Sequence, residues 1–269
     1  MIGRVPGWPH HPRRVASAPG FLGPGAPARW RESSVMWMLL PLGLGAGSLS
    51  TVAGMGGGML LVLALSLVFD PMTALAATTP ALLVANLHRL WLFRGALDRR
   101  VAGVFVLGAF PGALVGSLLT VGLPEGVLSW ILLAVSALAV ARGLGWLRWS
   151  PGPRSLAPAG FVAGGVAAAS GAGIFVSPLI LAAGVRGDAF IATVSASAVA
   201  IHIGRVLGYG AGGAISGSTI AISALLVVGL VLGNLLGRVI RARLGEGASH
   251  RVTYAVMFAL LLLALVGVA

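Results

Sequence analysis

The sequence predicts an all-α integral membrane protein made of two inverted repeats. Each repeat is a glycine-broken helical hairpin followed by three transmembrane helices, giving about 8–10 membrane segments. Three observations carry this expectation: an apolar composition with few charges, a series of apolar runs of membrane length, and motifs that recur at a fixed offset. Of the 269 residues, 58% are hydrophobic and 9% charged, and the mean hydropathy is +1.00. A soluble domain of this length carries roughly a quarter of its residues charged, so most of this chain faces something other than water.

Taken in chain order, the first 34 residues stand apart. They hold Arg4, Arg13, Arg14, Arg29 and Arg31 together with six prolines. Such a segment buries too little apolar surface to fold, so residues 1–34 are expected to be a disordered Arg/Pro/Gly-rich tail. Met36 also offers a start, and a signal peptide is not expected, because the apolar run from Val35 is long and no clear small-x-small cleavage site precedes the next span. The first transmembrane repeat is expected over 35–147, a connecting loop over 148–157 and the second repeat over 158–269, with 35–269 forming one membrane domain. Apolar runs of about 20 residues, enough for a helix to span, fall near 72–93, 101–121, 127–147, 189–209, 217–237 and 252–269. The regions 35–69 and 158–184 are apolar but broken by glycine, each with room for two helices. Backbone freed by such breaks survives at membrane depth only against protein or a water-filled cavity.

The halves echo one another. Gly56-Gly57-Gly58 precedes Gly171-Ala172-Gly173 by 115 positions, Ala77-Thr78 precedes Ala192-Thr193 by the same offset, and Gly112 and Gly116 precede Gly229 and Gly233 by 117. Arginines gather at 94–100, 142–154 and 238–251, whereas the links near Asp70, Glu125 and 208–218 hold none. Putting the arginine-rich links inside makes helix 101–121 run outward and helix 217–237 inward, which gives the halves opposite topology. The same choice sets the N-terminal tail outside, against its own five arginines.

Other classes are excluded by what the residues lack. The net charge of +12 does not mark a nucleic-acid binder, because the arginines lie between apolar runs where topology signals belong. With no cysteine there is no disulfide, thiolate metal site or cysteine nucleophile. No G-x-x-x-x-G-K-[ST] loop is present, so the chain carries no ATPase of its own. We expect no catalytic residues, metal or cofactor.

The residues resemble the TauE/SafE family of sulfite exporters and related anion permeases. The likeness rests on G-M-G-G-G at Gly54 to Gly58, A-L-A-A-T-T at Ala74 to Thr79, F-R-G-A-L-D-R-R at Phe93 to Arg100 and G-A-F-P-G-A-L-V-G-S at Gly108 to Ser117. A second copy of the first motif reads S-G-A-G-I-F-V-S-P-L at Ser170 to Leu179. The match covers about residues 40–265. It implies a secondary transporter, an exporter of a small sulfur-containing or organic anion such as sulfite or a sulfonate, working by alternating access in the cytoplasmic membrane.

A helix restarting inside the membrane presents unpaired N–H groups and a positive dipole end, which suits an anion. Gly56, Gly57, Gly58, Gly171 and Gly173 are therefore candidate substrate residues. Gly112/Gly116 and Gly229/Gly233 read as close helix packing. After the first break, Thr78 and Thr79 are followed by Asn86 and Arg89, and Thr78, Asn86 and Arg89 share one face. After the second, Ser195, His202 and Arg205 form a looser stripe. The alternative for the two arginines is snorkelling from helix ends, and Arg94 reads as a topology charge. All six acids, Glu32, Asp70, Asp98, Glu125, Asp188 and Glu246, sit in tails or links, so no carboxylate relay is available. His88 and His202 are the only intramembrane groups that titrate near neutrality. The expected partners are a small anion and the lipid bilayer, not nucleic acid; a homo-oligomer is left open. Two other functions compete: a channel or non-transporting membrane subunit, and a rhomboid-like serine protease using Ser170 and His202. Rhomboids carry a glycine two residues before the serine, where this chain has Ala168.

Overall fold

The computed structural model describes residues 28–143, 146, 155–171 and 173–243, and the isolated positions 255, 258, 259 and 262. Every described element is helical: α1 (Ala28–Ala53), α2 (Gly57–Ser66), α3 (Pro71–Phe93), α4 (Arg99–Val121), α5 (Glu125–Gly143), α6 (Leu156–Ser170), α7 (Val176–Ala182), α8 (Gly187–Ala211) and α9 (Gly217–Arg241), with single 3-10 turns at Arg94–Ala96 and Gly173–Phe175. The chain is an all-α membrane protein. Both glycine-broken regions contain two helices. The span expected at 252–269 lies almost wholly outside the described residues, as do residues 1–27. α1 begins at Ala28, directly after the last proline of the tail, so residues 28–34 extend the first helix, and Glu32 lies within it.

The helix starts follow from local chemistry. Asp70 caps α3 by accepting from the Thr73 N–H at 2.9 Å, with Pro71 in the first turn. Asp98 caps α4 by accepting from the N–H groups of Arg100 and Val101. Ser216 and Thr219 form a reciprocal capping box on α9. Carboxylates thus serve the helix ends, where they complement the dipole.

Among the described residues three helices, α4, α8 and α9, are long and apolar enough to cross a membrane. α3 has the length but carries Thr78, Thr79, Asn86, His88 and Arg89. Of α8's apolar window 67% is buried, against 39% for α4 and for α9, so α8 is central and the other two turn much of their surface outward.

The packing units are not the sequence halves. One core joins α1, α2 and α3 to α9 through Ala46, Leu61, Ala77, Leu226 and Leu230. The other joins α4 to α6, α7 and α8 through Phe105, Ala109, Ala163, Ile180 and Ile191. The first helix of each half therefore packs along the fourth helix of the other, and α3 and α8 meet between the two cores. Both exchanges are glycine seams. A Cβ on Gly43 would lie 2.9 Å from the Leu226 carbonyl, and one on Gly237 2.6 Å from the Ser48 carbonyl. A Cβ on Gly160 would lie 2.7 Å from the Phe105 carbonyl, and one on Gly116 2.7 Å from Gly165. Gly229 and Gly233 lie against the backbone of α1, and Gly108 and Gly112 against that of α6. The spaced glycines are thus helix contacts, as their four-residue interval implies.

The helix ends sort onto two faces. At one, the Asp98 N–H meets Thr193 Oγ1 at 3.3 Å, Arg238 lies over the Phe93 ring, and Arg241 pairs with Asp188 at 3.4 Å. This face gathers the end of α3, the starts of α4 and α8, and the end of α9. At the other, Val121, Leu123, Tyr209 and Ile215 cluster around Leu75 and Leu128. The chain has no cysteine, so single cysteines report sidedness directly. Gly95→Cys and Arg186→Cys are expected to react with an impermeant maleimide from one side of the membrane, and Gly122→Cys and Ser218→Cys only from the other. Gly164→Leu is expected to overpack the α4–α6 seam, costing about 1–3 kcal/mol or preventing folding. Gly103→Ala, which meets nothing within 4 Å, is expected to be neutral or slightly stabilising by helix propensity. Thermal melts of the purified variants measure both.

Candidate functional site

The two breaks are built differently. α1 stops at Ala53, and Gly54 and Gly56 take φ values of 74° and 93°, which favour glycine. The chain then restarts as α2 with Gly56 as its N-cap, and no side chain caps it. At the second break Gly171, with φ 66°, closes the C-terminus of α6 in the left-handed conformation, and a 3-10 turn from Gly173 leads into the short α7. The expectation that both breaks present helix N-termini is corrected here. The first does, whereas the second presents a helix end followed by a single tight turn.

The breaks meet. The Gly171 carbonyl lies 3.1 Å from where a Cβ on Gly58 would stand, and Ser177 on α7 donates to the Gly54 carbonyl at 3.2 Å. Between them is a cavity of about 60 Å³, lined by Gly54, Gly56, Gly58, Gly171 and Gly173, by Asn86 and Arg89 of α3, and by His202 and Arg205 of α8. One water-sized sphere takes roughly 10–15 Å³, so the space suits an ion of about four to six heavy atoms. Ser50, Met55, Leu82 and Ser177 add to the wall.

Two guanidiniums dominate the electrostatics. Arg89 is 6% exposed and Arg205 fully buried, so neither snorkels. Arg89 Nε donates to Ser195 Oγ on α8 at 2.8 Å, and its Nη2 donates to Asn86 Oδ1. Arg205 Nη2 donates to the Leu75 carbonyl on α3 at 3.2 Å, Nη1 lies 3.4 Å from His202 Nδ1, and the ring of Tyr209 sits 5.4 Å from the guanidinium carbon. Each arginine is thus anchored on the central helix of the other half. Arg205 Nε is buried with no hydrogen-bond partner. Among the described residues no carboxylate lies against either arginine; the ion pair seen elsewhere, Arg241 with Asp188, is at the helix ends. An uncompensated buried cation costs on the order of several kcal/mol, and the environment here compensates it only with neutral acceptors.

Eight of the twelve residues singled out from sequence therefore line one cavity: Gly56, Gly58, Asn86, Arg89, Gly171, Gly173, His202 and Arg205. Four do not. Thr78 and Thr79 donate to carbonyls of their own helix, Ala74 and Leu75. Gly57 packs against Ala46 and Ser50 of α1, so a side chain there would push α1 away. Ser195 sits behind Arg89 and donates to the Ile191 carbonyl at 2.7 Å. His88 is apart from the cavity, beside Asn234 and Trp91. Arg94 is exposed and donates to the Trp91 carbonyl. The sequence reading missed Ser50 and Ser177; Ser177 lay within the second quoted motif, and only the fold brings it to the first break.

The fold is that of a multi-pass helical membrane protein with a cationic cavity between its central helices. Residues 39–265 match the family described as sulfite exporter TauE/SafE, and the chain belongs to that family. Neither a curated protein nor a solved structure gives a match.

Burying a charge without a counter-ion is costly, and an apolar side chain of similar length removes that cost. Arg205→Met is therefore expected to hold or raise the melting temperature of the protein without anion. It is also expected to abolish the further rise that an anion gives the parent protein. Thermal melts with and without sulfite measure both quantities.

Proposed function

We propose that the protein is a secondary carrier of the cytoplasmic membrane that exports a small sulfur-containing or organic anion, such as sulfite or a sulfonate, by alternating access. The observation that carries this reading is the pair of buried guanidiniums, one from each half, that meet no carboxylate among the described residues and share a cavity of small-oxyanion size. An anion there supplies the missing charge, the start of α2 adds its dipole, and neutral donors complete the shell.

Alternating access is supported by the relation of the halves. α3 and α8 pass one another with opposite ends on each face, as do α4 and α9, as helices of inverted repeats would. The cavity lies where the two halves join, so rocking one core against the other would open it to alternate sides.

Gly58 is the diagnostic position because its missing side chain borders the cavity. Gly58→Leu is expected to abolish sulfite binding while the protein still inserts. Ser195→Ala is expected to weaken binding by about 1 kcal/mol, roughly fivefold, through loss of one hydrogen bond that holds Arg89. Titration of sulfite and small sulfonates into the purified variants, and counterflow in liposomes, provide the readings. Undiminished binding by Gly58→Leu, binding of cations only, or ohmic flux in place of counterflow would overturn the proposal.

A further inference from the structure

We propose that His202 is the proton-carrying group of this cavity, so that an anion binds together with a proton. The inference rests on the anion-carrier reading above and names its coupling ion.

The argument begins from the contact between His202 and Arg205. Both line the cavity, and Arg205 Nη1 lies 3.4 Å from His202 Nδ1. A guanidinium has donors and no acceptor. Nδ1 is therefore the acceptor of this contact, and the ring hydrogen sits on Nε2. A proton and the guanidinium compete for the same Nδ1 lone pair, and an imidazolium forms only when Arg205 turns Nη1 elsewhere. An oxyanion gives it somewhere to turn. Arg205 Nε is buried and has no partner, so oxygens bound along the guanidinium satisfy this orphan donor and draw the group off the ring. Nδ1 then takes a proton from the water that reaches the cavity, and the imidazolium becomes one more donor to the anion. When the anion leaves, Arg205 returns to Nδ1 and the proton goes back to water on that side.

Among the described residues no other group suits this role. On its own helix His202 faces Arg205 and, one turn beyond, Tyr209; from α3 it faces Arg89. α4, α6 and α7 also pack on α8 but bring no ionisable side chain to the cavity wall. Arg94, Asp98, Arg99, Arg100, Arg186 and Asp188 lie at the helix ends, outside that wall. Imidazole is the one of these groups that ordinarily changes charge between about pH 5 and 8.

A proton taken up on binding makes affinity rise as pH falls, by up to about tenfold per pH unit across the imidazole range. The probes are methanesulfonate and sulfate, which keep one charge state throughout that range, unlike sulfite. Calorimetric titration of the full chain in nanodiscs, in two buffers of different ionisation heat, is expected to give an uptake approaching one proton per anion. His202→Gln is expected to lose this uptake and the pH slope. His88→Gln, apart from the cavity, is expected to keep both. If His202→Gln does not fold, histidine ¹⁵N spectra of the parent and of His88→Gln decide: one ring passes from the Nε2–H form to the doubly protonated form as anion is added. Binding without proton uptake, or uptake that survives in His202→Gln, overturns the proton linkage alone. Absence of binding by either probe at every pH overturns the carrier reading and this inference with it.

Discussion

Two guanidinium groups buried in the wall of one cavity, with no carboxylate against them among the described residues, are the constraint around which this bundle is arranged. Charge of one sign at membrane depth is costly, and here the described residues meet it only with neutral partners: amide, hydroxyl and backbone oxygens, the His202 ring nitrogen and the Tyr209 ring. Arg89 reaches across to Ser195, and Arg205 reaches back to the Leu75 carbonyl. The two central helices are therefore held together by the same groups that leave the cavity cationic. An acid placed beside either arginine would quiet the charge and remove the reason for an anion to enter.

Holding those helices at the centre falls to the glycine seams. α1 lies along α9 and α6 along α4 with backbones in direct contact, which small residues permit and larger ones prevent. Without a hydrophobic effect between helices in lipid, such close packing is the main source of association. The outer helices thus form two tight pairs, and α3 and α8 are clamped between them. α2 and α7 are too short to span; they fill the space left where α1 and α6 stop.

Much of this was legible in the sequence, and the reasons differ from element to element. The helices emerged from apolar runs interrupted at Asp70, Asp98 and Ser216, because a cap and a break in hydrophobicity coincide there. Asn86, Arg89, His202 and Arg205 were found because polar residues on an apolar helix are few and share a face. Thr78 and Thr79 met the same criterion and do not line the cavity, since a threonine satisfies itself on the preceding turn whichever way it faces. Gly43, Gly47, Gly160 and Gly164 went unread, although they repeat at the same offset of 117 as Gly112 and Gly229. Periodicity tells which face is small but not which helix comes to meet it. For the same reason the exchange of α4 and α9 between cores had no signature in either half taken separately.

That exchange has a consequence for how the protein is made. α1 leaves the ribosome well before its seam partner α9, which starts at Gly217 after seven intervening helices. Through most of translation, α1 sits in the bilayer with its glycine stripe facing lipid or the insertion machinery. α4 waits less, since α6 follows it after one intervening helix. The α4–α6 seam can therefore form well before the α1–α9 seam, which waits for its second partner. The arginines at the helix ends act before that seam closes, fixing the side of each loop while the packing that will later hold it is still unmade.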